Sequence, residues 1–485
     1  MKRAALTAAI AASLFATPAV AGPILLASGS LTGSSAGANV DLSGLTGLLE
    51  NGQAGNLLGG LGSGIAYAGG NTFLALPDRG PNAIAYNAGI DNTTSYITRF
   101  QSLTMGLTLN APGSALAYSL TPTLSATTLL YSPTALNYGS GVGLTNDNGT
   151  SLGSGVPGIN TASAYYFTGR SDGYGAGNSG NPANARFDPE AIRVSNDGKS
   201  VFISDEYGPY IRQFDRTTGE LIKTFTLPAN LDVTTLSPSG STEISGNSVG
   251  RVANKGMEGL AITPDGKTLV GIMQAALEQD KKGYLRLVTV DIATGTTHEY
   301  GYRLTTGSGV SEIVAINDHQ FLVDERDGEG LGGDAGSNVS KKVFLIDIAG
   351  ATDITSVAGP AATFPTVTKS ATPFLDITAA LVAAGVPLSQ VPSKIEGLSF
   401  GQDVMYNGTL LHTLYVSTDN DFLASSGPNQ FYVFGVSDAD LNNAYVPQAI
   451  AGVPEPSTWA MLIMGFGLVG AAMRRKRAPE VAIAS

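Results

Sequence analysis

Met257-Glu258-Gly259-Leu260-Ala261 runs through the turn Pro264-Asp265-Gly266-Lys267 into Thr268-Leu269-Val270-Gly271-Ile272-Met273-Gln274, and this strand–turn–strand unit decides the fold. Apolar runs this short, bounded by Pro-Asp-Gly, predict strands rather than helices. The unit recurs. Asp188-Pro189-Glu190-Ala191-Ile192 leads through Asn196-Asp197-Gly198-Lys199 to Val201-Phe202-Ile203-Ser204-Asp205-Glu206. Ser311-Glu312-Ile313-Val314 leads through Asn317-Asp318 to Phe321-Leu322-Val323-Asp324-Glu325-Arg326. Ile395-Glu396-Gly397-Leu398-Ser399 leads to Leu414-Tyr415-Val416-Ser417-Thr418-Asp419-Asn420-Asp421, and Ser63-Gly64-Ile65-Ala66-Tyr67 leads to Phe73-Leu74-Ala75-Leu76-Pro77-Asp78-Arg79-Gly80. Third strands follow at Ile211–Asp215, Leu285–Asp291 and Lys342–Asp347. Such units, repeated at irregular spacing, predict an all-β fold, a β-propeller of five to seven blades with insertions.

The expected domain layout follows from the ends of this repeat. Residues 61–446 form the propeller, 22–60 an N-terminal strand with loops, and 447–452 a linker. With 43% hydrophobic and 14% charged residues, the chain can build a large core and is not disordered throughout. Its net charge is -12, which opposes nucleic-acid binding and suits collection of cations. There is no cysteine, so disulfides and thiolate zinc sites are excluded.

The two ends are processing signals. Lys2-Arg3, an apolar Ala-rich stretch and Ala19-Val20-Ala21 make a secretory signal peptide over residues 1–21. At the other end, Val453-Pro454-Glu455-Pro456 precedes Trp459, an apolar run to Met473 and Arg474-Arg475-Lys476-Arg477. The run from Trp459 to Met473 would span about 22 Å as a helix, shorter than the roughly 20 residues a bilayer asks for. It reads as a short transmembrane sorting helix with its basic cluster on the cytoplasmic side. This order of parts over residues 453–477, before a tail at 478–485, resembles the PEP-CTERM sorting signal of Gram-negative bacteria. The resemblance implies an exosortase-type protease as partner, membrane attachment until processing, and a final place in the periplasm, at the outer surface or in the extracellular matrix.

Propeller geometry gives the repeated acids a chemical meaning. Equivalent positions of successive inner strands converge on one mouth of a central channel. By this alignment Glu190, Glu258, Glu312 and Glu396 are equivalent and are the candidate catalytic residues. Asp78, Asp205, Asp324 and Asp419, with Glu206 and Glu325, are the candidate metal ligands. Crowded carboxylates raise one another's pKa unless a cation sits among them. All-oxygen ligands favour Ca²⁺, with Mg²⁺ the second choice. Arg79, Lys255, Arg326 and Lys394 lie beside the acids and are candidates for holding a small anionic substrate. The structural alternative is that the acids cap strands and the cations simply pair with them.

The phrases Asp78-Arg79-Gly80-Pro81-Asn82, Asp188-Pro189-Glu190-Ala191-Ile192, Ser204-Asp205-Glu206-Tyr207-Gly208-Pro209, Lys255-Gly256-Met257-Glu258-Gly259-Leu260, Val323-Asp324-Glu325-Arg326 and Lys394-Ile395-Glu396-Gly397-Leu398 occur in this order. Together they resemble the phytase-like domain described as "esterase-like activity of phytase", across roughly residues 60–440. The resemblance implies a secreted or periplasmic propeller with phosphoester or ester hydrolase activity, and no assigned nucleophile comes with it. One departure is the third unit, where Met273-Gln274 stands in place of Asp-Glu and Glu278 is the possible substitute.

The remaining chemistries fail on residue content. His298, His319 and His412 lie in no Arg-His-Gly motif, and there is no cysteine nucleophile. Gly-x-Ser-x-Gly occurs at Ser35, Ser151 and Ser248, each in a Gly/Ser-rich stretch without the following helix of a nucleophile elbow. Gly175-x-Gly177-x-x-Gly180 lies in a polar loop rather than after a strand, and the acidic loop Asp327–Asp334 lacks EF-hand spacing. Metal-assisted hydrolysis is the expectation that survives. Its rival is a non-enzymatic surface or matrix-binding propeller with structural cations.

Overall fold

In a computed structural model, the chain is described over residues 22–31, 40–83, 93–139, 153, 155–170, 174, 177–237, 240–442 and 444–451. The signal peptide and the sorting segment with its helix lie outside the described residues. Among the described residues no helix is long and apolar enough to cross a membrane.

Five antiparallel sheets are arranged as propeller blades. The innermost strands are Gly64–Gly69, Pro189–Val194, Met257–Ile262, Gly309–Ala315 and Ile395–Phe400, and each packs beside the next until the fifth meets the first. The strands next outward are Thr72–Leu76, Ser200–Asp205, Thr268–Met273, Gln320–Arg326 and Thr409–Thr418. The second and third inner strands are buried at every position. Alternate side chains face opposite sheet surfaces, so Ile65 enters the layer against blade five and Ala66 the layer against blade two. Five such apolar layers between neighbouring blades form the core.

The hairpin turns repeat as the sequence does. Gly198 and Gly266 sit at φ +70° and +72°, a region that favours glycine. In each turn the preceding aspartate ties it shut: Asp197 accepts from Lys199 N at 3.0 Å, and Asp265 from Lys267 N at 3.0 Å.

Blade five is completed by the other end of the chain. Ile24–Leu31 pairs antiparallel with Asn429–Val436 and supplies the outermost strand. Gly29 lies so close to blade one that a Cβ would stand 2.4 Å from the Leu120 carbonyl oxygen. This pairing closes the ring, and it fixes the blade number at the lower end of the expected range.

The central channel is not a through-pore. Arg193 Nη1 donates to Ile65 O at 2.9 Å and Ile192 O at 2.6 Å, and Nη2 donates to Ile313 O at 2.9 Å and Leu398 O at 3.3 Å. One guanidinium thus ties four inner strands across the axis. At the far ends of those strands a strap of chain, residues 444–451, crosses the opening. Val446 N donates to Ile316 O at 2.8 Å, and Gln448 Nε2 donates to Val194 O at 2.8 Å. Between Arg193 and the strap lies a cavity of about 80 Å³ walled by Val194, Ile262, Val314, Phe400 and Tyr445.

Candidate metal centre at the acidic mouth

The opposite ends of the inner strands form the functional mouth. A ladder irregularity lies there in four blades. The register slips between Pro189 and Ile192, Met257 and Gly259, Val310 and Glu312, and Ile395 and Gly397. A bulge re-aims the extra residue. The residues at the slip are Glu190, Glu258 and Glu396 in blades two, three and five, but Ser311 in blade four. A second ring comes from the residue just past the pairing partner of each slip: Glu206, Gln274, Arg326 and Asp419, with Asp78 at the same level of blade one.

This register corrects the sequence alignment in blade four by one residue. Glu312 does not join Glu190, Glu258 and Glu396. It lies on the channel axis with no exposure, pairs with Arg193 at 2.9 Å, and accepts from Leu260 N at 3.1 Å and Ile313 N at 3.0 Å. A one-residue slip turns a side chain to the other face. Three more of the expected acids lie outside the two rings. Asp205 accepts from Asp188 N at 2.8 Å and Gly208 N at 2.6 Å, so it holds the loop behind the mouth. Glu325 faces outward to Lys369, Tyr302 Oη at 2.7 Å and Thr306 N at 2.8 Å. Asp324 is fully buried, with neither carboxylate oxygen hydrogen-bonded. Burial pushes its pKa up to about 8, against the pull of Arg326 and Lys341. Lys255 is exposed on the turn before blade three, its N–H donating to Val252 O at 3.1 Å.

The mouth also gathers acids outside the expected set. Asp188, Glu190 and Glu206 each offer an oxygen within 4.8 Å of the others, and all three are buried. Asp78, Asp419 and Asp421 form a second group with the same spacing, its first two members buried and Asp421 half-buried. Asp188 and Asp421 were not among the candidates. Asp188 precedes its strand, and Asp421 lies in a loop at φ +49°, followed by Phe422 at φ +56°. No local sequence signal marks either. Strained backbone of this kind persists where the surroundings enforce it, and here Phe422 is packed against Tyr96.

Between the groups stand Glu258 and Glu396, bridged by Arg326. Its guanidinium hydrogen-bonds Glu396, lies 3.6 Å from Glu258 and donates from Nε to Ser311 Oγ at 2.6 Å. Gln274 Nε2 donates to Glu258 at 2.9 Å, so Gln274, and not Glu278, fills the third corner. Arg79 pairs with Asp188 at 3.2 Å. Lys394 Nζ lies 2.9 Å from Asp419, 2.5 Å from Asp421 and 3.9 Å from Glu396.

The acids still outnumber these cations, and their pKa values register it. Burial, then Glu258, Asp188 and Glu206, hold Glu190 well above its ordinary value. Burial, then Asp188 and Glu258, do the same for Glu206. Burial and Glu396 push Glu258 to about 8, and burial puts Asp78 at about 7. Burial would also raise Asp421, but Lys394 overrides it and holds the group below its ordinary value. Glu206 Oε2 is buried without a hydrogen-bond partner. Two oxygens on one Ca²⁺ at about 2.4 Å each are separated by at most about 4.8 Å, so the Asp188, Glu190 and Glu206 spacing fits one such ion. The donor set is all oxygen, which suits Ca²⁺ or Mg²⁺.

Residues 56–422 match the model of the phytase-like family, "esterase-like activity of phytase". The chain belongs to the phytase-like family. Residues 452–477 match the PEP-CTERM protein-sorting motif, which marks this phytase-like propeller as an exported protein and a substrate for exosortase-type processing. An uncharacterized secreted protein of Arthroderma benhamiae is 32% identical over 292 residues, covering 52% of this chain and 53% of that relative, about half the length of each. Among solved structures, a hydrazine synthase of Kuenenia stuttgartiensis superposes over 78% of this chain and 87% of its own, with 11% identity and a TM-score of 0.31. A gluconolactonase of Xanthomonas campestris covers 85% and 97%, with 10% identity and a TM-score of 0.29.

Proposed function

We propose that this protein is an exported, cation-dependent hydrolase of phosphoesters or carboxylic esters, with its site at the acidic mouth. One observation carries the reading: Asp188, Glu190 and Glu206 converge in a buried cluster, and Glu206 Oε2 has no partner. An orphaned buried acceptor is costly unless something fills it. A divalent cation held there would polarise a phosphoryl or acyl oxygen and acidify a water. Glu190, placed by sequence among the catalytic acids, serves as a ligand in this scheme. Glu258, the acid raised to about 8, takes the proton from the attacking water. Glu396 holds Arg326 at the mouth. Arg326, Arg79 and Lys394 are the groups that an anionic substrate meets, each exchanging part of its present carboxylate contact for a substrate oxygen. Lys255 adds charge at the rim. Glu312, Asp205, Asp324 and Glu325 have no role in this chemistry.

A second reading, a binding propeller with a structural cation, draws on the fact that Arg79, Arg326 and Lys394 are all already paired with carboxylates. Turnover separates the two. The full chain is assayed on a chromogenic phosphoester and on a chromogenic carboxylic ester with Ca²⁺, with Mg²⁺ and with chelator. The hydrolase reading expects turnover that chelator and Glu206→Gln both abolish. Cation-dependent thermal stability without turnover on either substrate would establish the binding module instead.

The sorting motif extends the proposal to location. The C-terminal segment holds the chain in the inner membrane of a Gram-negative cell until an exosortase-type protease removes it. The propeller then works in the periplasm, at the outer surface or in the extracellular matrix. Detection of the tail in the membrane fraction, and of a shortened chain only where the protease is intact, checks this.

A further inference from the structure

The two acid groups of the mouth look alike by composition but differ in what neutralises them. The Asp78, Asp419 and Asp421 group surrounds an ammonium: Lys394 Nζ is 2.9 Å from Asp419 and 2.5 Å from Asp421. The lysine is fixed at its backbone as well, because Asp419 N donates to Lys394 O at 3.1 Å. Asp421 is in turn fixed to Asp419, its N–H donating to Asp419 Oδ1 at 2.7 Å. In the Asp188, Glu190 and Glu206 group, Arg79 pairs with Asp188 at 3.2 Å, while Glu206 Oε2 is buried without a hydrogen-bond partner.

We propose that Lys394 is the second cation of the site: its ammonium stands where a second metal would, and the mouth binds one divalent cation, at Asp188, Glu190 and Glu206. This rests on the cation-dependent reading above and adds to it a stoichiometry and a division of labour. A divalent ion entering the Asp78 group would have to displace an ammonium seated on two carboxylates, leaving Lys394 with Glu396 at 3.9 Å as its remaining partner. The ammonium and a dication in one cluster repel each other, and moving the ammonium away breaks both carboxylate contacts, so the lysine excludes the metal. A fixed single charge also suits a site where one side holds an ion and the other keeps a donor for a substrate oxygen.

The test counts ions rather than turnover. Native mass spectrometry and calorimetric titration with calcium chloride are run on the full chain. Wild type is expected to take one Ca²⁺, Glu206→Gln none at the same concentration, and Lys394→Met two. Lys394→Arg, which keeps the charge, is expected to take one. Two ions in wild type would overturn the proposal, as would a single ion that survives Glu206→Gln but is lost in Asp419→Asn. No ion in wild type would sink the cation-dependent reading, and Lys394→Met then judges the lysine alone: a gained ion keeps its role as a built-in cation, and no gain removes it. If Lys394→Met folds only when Ca²⁺ is supplied, its calcium-induced rise in melting temperature should exceed that of wild type, and an equal or smaller rise counts against the proposal.

Discussion

The two ends of one channel are built by opposite means. At the far end, Ile262, Val314, Phe400 and Tyr445 wall a small cavity and a strap of chain crosses it, held by backbone and Gln448 hydrogen bonds. At the mouth, bulged strands and loop residues bring in carboxylates that burial and mutual repulsion hold above their ordinary pKa values. The same inner strands serve both ends. Stability is invested at one end and strain is concentrated at the other, as expected where local chemistry is bought at the expense of packing. Arg193 divides the two, satisfying carbonyls of four blades from the axis.

The largest expected effect comes from removing that divider. Arg193→Met leaves Glu312 buried without its partner and the carbonyls of four strands without their donor, and should cost about 3–5 kcal/mol in denaturant unfolding, without changing how many Ca²⁺ ions the mouth takes. Loss of ion binding together with stability would mean that the two ends are not separable. Next in size is Glu206→Gln, which should weaken Ca²⁺ binding at least about tenfold by calorimetry, since charge count sets affinity in oxygen sites. It should leave the metal-free protein as stable or more so, because it removes a crowded acid.

The third expected effect is a pH dependence with a definite sign. Glu258 rises from 4.5 to about 8 and Asp78 from 3.8 to about 7 in the folded chain. The folded state therefore keeps protons that the unfolded chain has already lost. The stability these groups contribute is complete below about pH 4, falls as pH rises, and is gone above about pH 8. Saturating Ca²⁺ should flatten or reverse this decline at the mouth, because the ion binds the ionised form. Asp324, raised from 3.8 to about 8 chiefly by its own burial, should retain most of its share of the decline with or without Ca²⁺. Melting curves of Asp324→Asn between pH 5 and 9 isolate that share. The smallest effect is at the far end: Gln448→Ala should cost about 1 kcal/mol for its lost hydrogen bonds and leave ion binding unchanged.

The same contrast explains what the sequence revealed. The strand–turn–strand units and their acids were legible because both are local: Glu190, Glu258 and Glu396 precede apolar runs, and all three sit at the slipped positions of their ladders. Blade four misled because Ser311-Glu312 offers an acid one residue away from the slip, and a bulge position is set by pairing that no single strand encodes. At the second-strand ends the mouth positions belong to Glu206 and Arg326, one residue past Asp205 and two past Asp324. Asp188 and Asp421 carry no periodic signal, and their place depends on loops folding over the mouth. The number of blades was open because the closing strand, Ile24–Leu31, meets its partner Asn429–Val436 from the other end of the chain.

The most direct measurement is a crystal structure of the protein grown with Ca²⁺, with anomalous scattering used to locate the ion. The account predicts one peak, with carboxylate oxygens of Asp188, Glu190 and Glu206 at about 2.3–2.6 Å and the Lys394 ammonium still seated on Asp419 and Asp421. A peak displacing Lys394, or no peak among those three acids at saturating Ca²⁺, would contradict it.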